Sequence, residues 1–149
     1  MAQLIKYWLP VILWMSLIFA GSTGLMSSQR TSRIIGPILR WFDPAISDET
    51  IYSIQFVIRK CAHAVEYAVL CLLVWRAKRQ PQKKDVRSWN WGEARFAIGV
   101  SALYAISDEF HQYFEISRQA SAWDVLIDTG GAVMAMLLLW RFGRWRNLW

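Results

Sequence analysis

Two stretches hold nearly all the side chains that could do chemistry. One is Arg59-Lys60-x-x-His63-x-x-Glu66-Tyr67; the other, Ser107 to Asp128, carries Asp108, Glu109, His111, Gln112, Glu115, Arg118, Asp124 and Asp128. Histidine beside a carboxylate is the pairing that general acid–base work needs. Asp108 with His111, and His63 with Glu66, are therefore the candidate catalytic pairs, and Asp124 is a further carboxylate able to orient them. Arg59, Lys60 and Arg118 offer positive charge for a phosphate or carboxylate, Arg118 being suited to bidentate contact. Tyr67 and Gln112 add polar groups on the same faces for holding a ligand. The carboxylates with His63 and His111 are also metal-ligand types, but neither H-E-x-x-H nor another diagnostic spacing is present. No metal and no cofactor is assigned. Ser27-Ser28-Gln29 has hydroxyls for nucleophilic work, with nothing in the sequence tying them to a base.

On a helix, Arg59, His63, Glu66 and Tyr67 share a face, and Lys60 lies one turn before His63. Asp108, His111, Gln112 and Glu115 do the same, while Glu109 points elsewhere; Asp124 and Asp128 are one turn apart. Gly130 and Gly131 follow and permit close helix approach. The bland account is mutual neutralisation: Arg59 and Lys60 with Glu66, Arg118 with Asp124 or Asp108, a set of ion pairs that fixes helix register. One or two pairs would be enough for that. This chain spends about eight ionisable groups, each costing ~2.5–3.5 kcal/mol at the centre of a span, which favours a site.

The elements that must position them are apolar. The 149 residues are 55% hydrophobic, with a mean hydropathy of +0.21, values high for a small soluble domain. Spans are expected at about 4–21, 54–75, 95–114 and 122–140, and most of the ten tryptophans fall near their ends, where indole suits the water–lipid interface. Pro10 kinks the first span rather than ending it. Ala20-Gly21-Ser22 also suits a signal peptidase, but the run is long and its basic lead weak, so a retained span is the reading. Gly21 to Ser53 reads as a polar loop with a short interfacial helix at Ile34 to Phe42. Cys61 and Cys71 stand about 15 Å apart on one helix, beyond disulfide reach.

The net charge of +6 comes with two basic blocks, Arg76 to Arg87 and Arg141 to Arg146, each flanking a span. They read as topology signals rather than a nucleic-acid surface, and the positive-inside rule puts both on the cytoplasmic side. Both termini are then cytoplasmic. The start of span two, the end of span three and the start of span four, where the intramembrane charges sit, share the outer half of the membrane.

Taken in order, Arg59-Lys60-x-x-His63-x-x-x-Tyr67, Asp108-Glu109-x-His111-Gln112-x-Phe114, Arg118, Asp124-Val125, Asp128 and Gly130 resemble the VanZ-like family of bacterial membrane proteins. Ser27-Ser28-Gln29 resembles that family's first loop; Glu115-Ile116-Ser117 stands where many members have a Pro-Gly turn. The resemblance covers nearly the whole chain. It implies a small multi-span helical protein of a family named for a member that lowers teicoplanin susceptibility, and it implies no particular reaction. The expectation is thus one all-α domain over residues 1–149, a polytopic four-helix transmembrane bundle in the bacterial inner membrane. Its outer-leaflet site would act on, or merely bind, an anionic lipid headgroup or lipid-linked cell-wall precursor. Nucleic acid is not an expected partner.

Overall fold

Helix-capping chemistry decides where the elements begin and end. The computed structural model describes residues 2–22, 28–81, 87–114 and 121–149, with backbone alone at 2 and 28–33. Ser27, Lys83, Lys84, Asp85, Glu115 and Arg118 therefore lie outside the described residues, as do the side chains of Ser28, Gln29, Arg30 and Arg33. The described residues form five α-helices and no strand: α1 (Ala2–Ser22), α2 (Ser28–Phe42), α3 (Asp48–Arg79), α4 (Trp91–Gln112) and α5 (Ala122–Trp145).

The first polar stretch is a correction, since most of it is helical rather than loop. The expected helix at Ile34–Phe42 is the second half of α2, and α3 begins at Asp48, well before the apolar run at residue 54. Ser47 takes extended geometry and accepts from the Thr50 N–H at 3.2 Å, and Asp48 and Glu49 place negative charge on the first turn. At the other end Arg76, Lys78 and Arg79 occupy the last turn, and Gln80 turns left-handed (φ 46°) with its N–H on the Arg76 carbonyl at 2.9 Å. Asn90 caps α4 and Ser121 caps α5 in the same manner as Ser47. Helix α1 runs through Pro10 unbroken.

Helix α3 is the central element, packed most extensively on α5 and then on α4, α1 and α2. Its buried face is Tyr67, Leu70, Cys71 and Val74. Opposite stand Ala94, Ala97, Ser101 and Ala105 of α4, all fully buried, a strip of small side chains at helical spacing that lets the backbones approach. Against α5 the approach is closer still: a Cβ on Gly131 would overlap the Ala64 carbonyl of α3. Gly130, expected to share that role, faces open space. Helix α1 is tied on by Trp14 Nε1 to the Glu66 carbonyl at 2.9 Å and by Tyr104 Oη to the Met15 carbonyl at 2.6 Å.

The pattern of exposure is inverted relative to a soluble fold. Leu17, Leu103 and Leu138 are 62%, 69% and 62% exposed, whereas Asp128 is 1% and Asp108 3% exposed. Helices α1 (Gln3–Ser22) and α5 (Ala122–Trp145) are long and apolar enough to cross a membrane by length and composition. Helices α3 and α4 match them in length, at 32 and 22 residues, but carry the charged groups of the candidate site.

One end of the structure is fastened by Arg79, which the composition places in a basic topology block but the fold buries. Its guanidinium donates to Glu93 Oε2 at 3.1 Å, the Ser88 carbonyl at 3.3 Å and the Arg87 carbonyl at 2.6 Å. It also lies over the Trp75 and Trp149 rings, 5.5 and 5.8 Å from their centroids. Trp75, Trp89 and Trp149 pack together as a cluster. The Trp149 ring occupies the space left by the missing side chain of Gly143.

Two stability outcomes follow. Gly131→Ala should destabilise the protein by about 1–3 kcal/mol through overpacking, with Gly130→Ala neutral, as read from unfolding midpoints in detergent. Glu93→Ala, which strands a buried guanidinium, should cost about 3 kcal/mol in the same assay.

Candidate functional site

The opposite end gathers the C-terminus of α1, the first half of α3, the end of α4 and the start of α5. Spacing along α3 and α5 accounts for what those helices contribute, because their polar groups share a face turned to the neighbouring helix. From α3, Lys60 pairs with Asp124 of α5, both partly buried. One turn on, His63 Nδ1 lies 3.9 Å from Glu66 Oε2 on its own helix and 3.9 Å from Asp128 Oδ1 on α5. Tyr67 follows, fully buried, its ring 6.3 Å from that of Tyr104 on α4.

From α4, Asp108 Oδ2 accepts from Ser22 Oγ of α1 at 2.7 Å and from Gln112 Nε2 one turn along at 2.9 Å. Glu109 Oε2 accepts the Ser121 N–H at 2.8 Å, placing a carboxylate at the start of α5. His111 lies against the Phe19 ring of α1, centroids 4.7 Å apart. Among the described residues no donor reaches either oxygen of Asp128 or Oδ1 of Asp108, and the Tyr67 hydroxyl and His111 Nε2 also lack a hydrogen-bond partner.

Of the expected residues, Lys60 meets Asp124 and His63 meets Glu66, with altered pairings elsewhere. Lys60 faces Asp124 rather than Glu66, and Arg59 is partly exposed without an ion pair among the described residues. Glu66 pairs with His63, as spacing indicated. No hydrogen bond or ion pair joins Asp108 to His111; the partners of Asp108 are Ser22 and Gln112. Arg118 falls outside the described residues.

Two contributions escape a reading by single-helix stripes. Glu109 is only 6% exposed, correcting the expectation that it points away. Helix α4 packs on both α3 and α5, so it has a second interior face. Ser22 enters because α1 ends beside α4, and the small polar close of the first apolar run was the available signal. Asp128, visible as the turn-mate of Asp124, is the most deeply buried acid of the set and meets His63.

Chemically, the site is a set of carboxylates from α4 and α5 with one paired lysine and an imidazole held between two acids. Fold and site together define a class: an all-helical protein with apolar outer faces, ionisable side chains inside, and helices of membrane-crossing length. A family model described as VanZ/LLP1 matches residues 7–143, and the chain belongs to that family. Family membership and the two apolar helices point to a membrane protein. Comparison with curated proteins and with solved structures returns no match.

Since Lys60 and Asp124 are partly buried partners on different helices, they should be energetically coupled. A double-mutant cycle of Lys60→Met and Asp124→Asn should return a coupling of about 0.5–3 kcal/mol, the range for residues in one ion-pair network; additivity would show the pair to be incidental.

Proposed function

We propose that this chain is a four-span protein of the bacterial inner membrane, one domain with both termini cytoplasmic. Its polar end, in the outer leaflet, takes the headgroup of an envelope lipid or of a lipid-linked cell-wall precursor. The observation that carries this is the contrast between side chains: Asp108, Glu109, Gln112 and Asp128 are buried, with Lys60, His63 and Asp124 partly buried beside them, while leucines and phenylalanines cover the outside. Ionisable groups at membrane depth are costly and line polar sites. The basic segments Arg76 to Arg79 and Arg141 to Arg146 lie at the end remote from these groups, which supports the orientation. Helix α2, with Ile34, Ile38, Trp41 and Phe42 exposed, suits the headgroup layer on the same side as the site.

In the enzymatic form of this proposal, Arg59, Lys60 and Arg118 hold the anionic part of the headgroup, with Asp124 fixing Lys60. His63, between Glu66 and Asp128, moves the proton, and it is better placed for that than His111 because two carboxylates orient it. Asp108, locked by Ser22 and Gln112, positions the ligand beside Tyr67. Altered precursor chemistry would then change glycopeptide (teicoplanin) susceptibility.

A second reading is non-enzymatic binding that changes access to envelope lipids or antibiotics. It is favoured by how firmly Asp108 and Glu109 are engaged by their own neighbours, which suits a fixed receptor. Mass spectrometry of envelope lipids and wall precursors separates the two, comparing cells with wild type, Asp108→Asn, Asp108→Glu or no protein. Under the enzymatic reading a species changes with wild type only, and Asp108→Glu reduces its formation by about 10²-fold, the cost of roughly 1 Å of misplacement. Identical profiles from correctly inserted protein would leave the binding reading.

A further inference from the structure

The interior of the candidate site has more hydrogen-bond acceptors than donors. Both oxygens of Asp128, 1% exposed, and Oδ1 of Asp108, 3% exposed, receive no hydrogen bond from any described residue. Buried carboxylate oxygens without donors are uncommon and costly, because an ionised carboxylate is acceptor-only. The partly buried Lys60 is committed elsewhere, to Asp124. His63 Nδ1, at 3.9 Å, is beyond hydrogen-bond length from Asp128. The Tyr67 hydroxyl, fully buried and within electrostatic reach of both Asp108 and Asp128, makes no hydrogen bond and leaves the acceptors unmet.

The chemistry that completes such a place is a compact group rich in N–H donors and carrying positive charge. A primary ammonium has three donors and no acceptor, the complement of these oxygens. A metal ion fits less well, since among the described residues no three His, Cys, Asp or Glu side chains come together to hold one. We infer that Asp128 and Asp108 form a subsite for the primary ammonium group of a membrane-borne ligand, whose phosphate lies towards Lys60 and Arg59. The inference rests on the headgroup reading above and narrows it to ligands that carry an amine as well as an anion. An aminophospholipid headgroup and the amine-bearing peptide of a lipid-linked wall precursor both supply this chemistry.

The test is native mass spectrometry of the full chain extracted with an equimolar mixture of probes. These are phosphatidylethanolamine, its N-acetylated form, phosphatidylcholine, phosphatidylglycerol, and a lipid-linked wall precursor with its peptide amine free or acetylated. Phosphatidylcholine keeps the positive charge but has no N–H. The expected result is that wild type retains a free-amine probe over its acetylated or trimethylated counterpart by about tenfold, the size of one charge-assisted hydrogen bond. Which free-amine probe shows the preference identifies the source. Asp128→Asn and Asp108→Asn should abolish the preference. Equal retention of free and blocked amines, with phosphatidylglycerol retained and lost in Lys60→Ala, would overturn the ammonium subsite and leave the headgroup reading standing. Retention of no probe above phosphatidylcholine would overturn both. The comparison among probes on wild type decides the matter even where a variant fails to fold.

Discussion

The structure depends on one electrostatic constraint: a charge removed from water must meet a partner, or the state that buries it is lost. Lys60 meets Asp124 across α3 and α5, Arg79 meets Glu93 across α3 and α4, and His63 sits between Glu66 and Asp128. Each of these except His63–Glu66 joins different helices. Helix register is therefore set by the polar groups as well as by apolar packing, which is the best-attested use of buried ion pairs.

Close approach makes those pairs possible. Lysine and carboxylate on neighbouring helices reach one another because Gly131 meets the Ala64 backbone and because α4 carries a fully buried strip of small residues, Ala94, Ala97, Ser101 and Ala105. Larger side chains there would hold the helices apart and leave the same carboxylates unmet. Small residues and charged residues are thus parts of one arrangement, the first providing proximity and the second selecting the register that uses it.

The two ends spend polar groups differently. At one, Arg79 is satisfied by a carboxylate, carbonyls and indole faces. At the other, Asp128 and part of Asp108 are buried with acceptors to spare. Proteins tend to concentrate unmet polar groups where function requires them, since elsewhere they only subtract from stability. Unmet carboxylate oxygens, rather than the number of charges, mark the candidate site; at the Arg79 end the buried atoms without a partner are the indole N–H groups of Trp75 and Trp89.

Much of the fold was legible in the residue order. Apolar runs with charged or tryptophan-rich ends marked α1, α4 and α5, and helical spacing put Lys60, His63 and Tyr67 on one face, because periodicity is a local property that a single helix expresses by itself. The family pattern was legible for the same reason, as an ordered set of residue types. What the sequence left open was partnership. That Lys60 takes Asp124 rather than Glu66, that Asp108 takes Ser22 and Gln112 rather than His111, and that Glu109 faces inward depend on which helix lies beside which. The early start of α3 and the burial of Arg79 were hidden similarly, by composition that reads as loop or solvated block until a cap or a packed indole gives it a partner. Spacing along one helix fixes direction from its axis, whereas distance between helices is set by packing, and only the tertiary structure contains it.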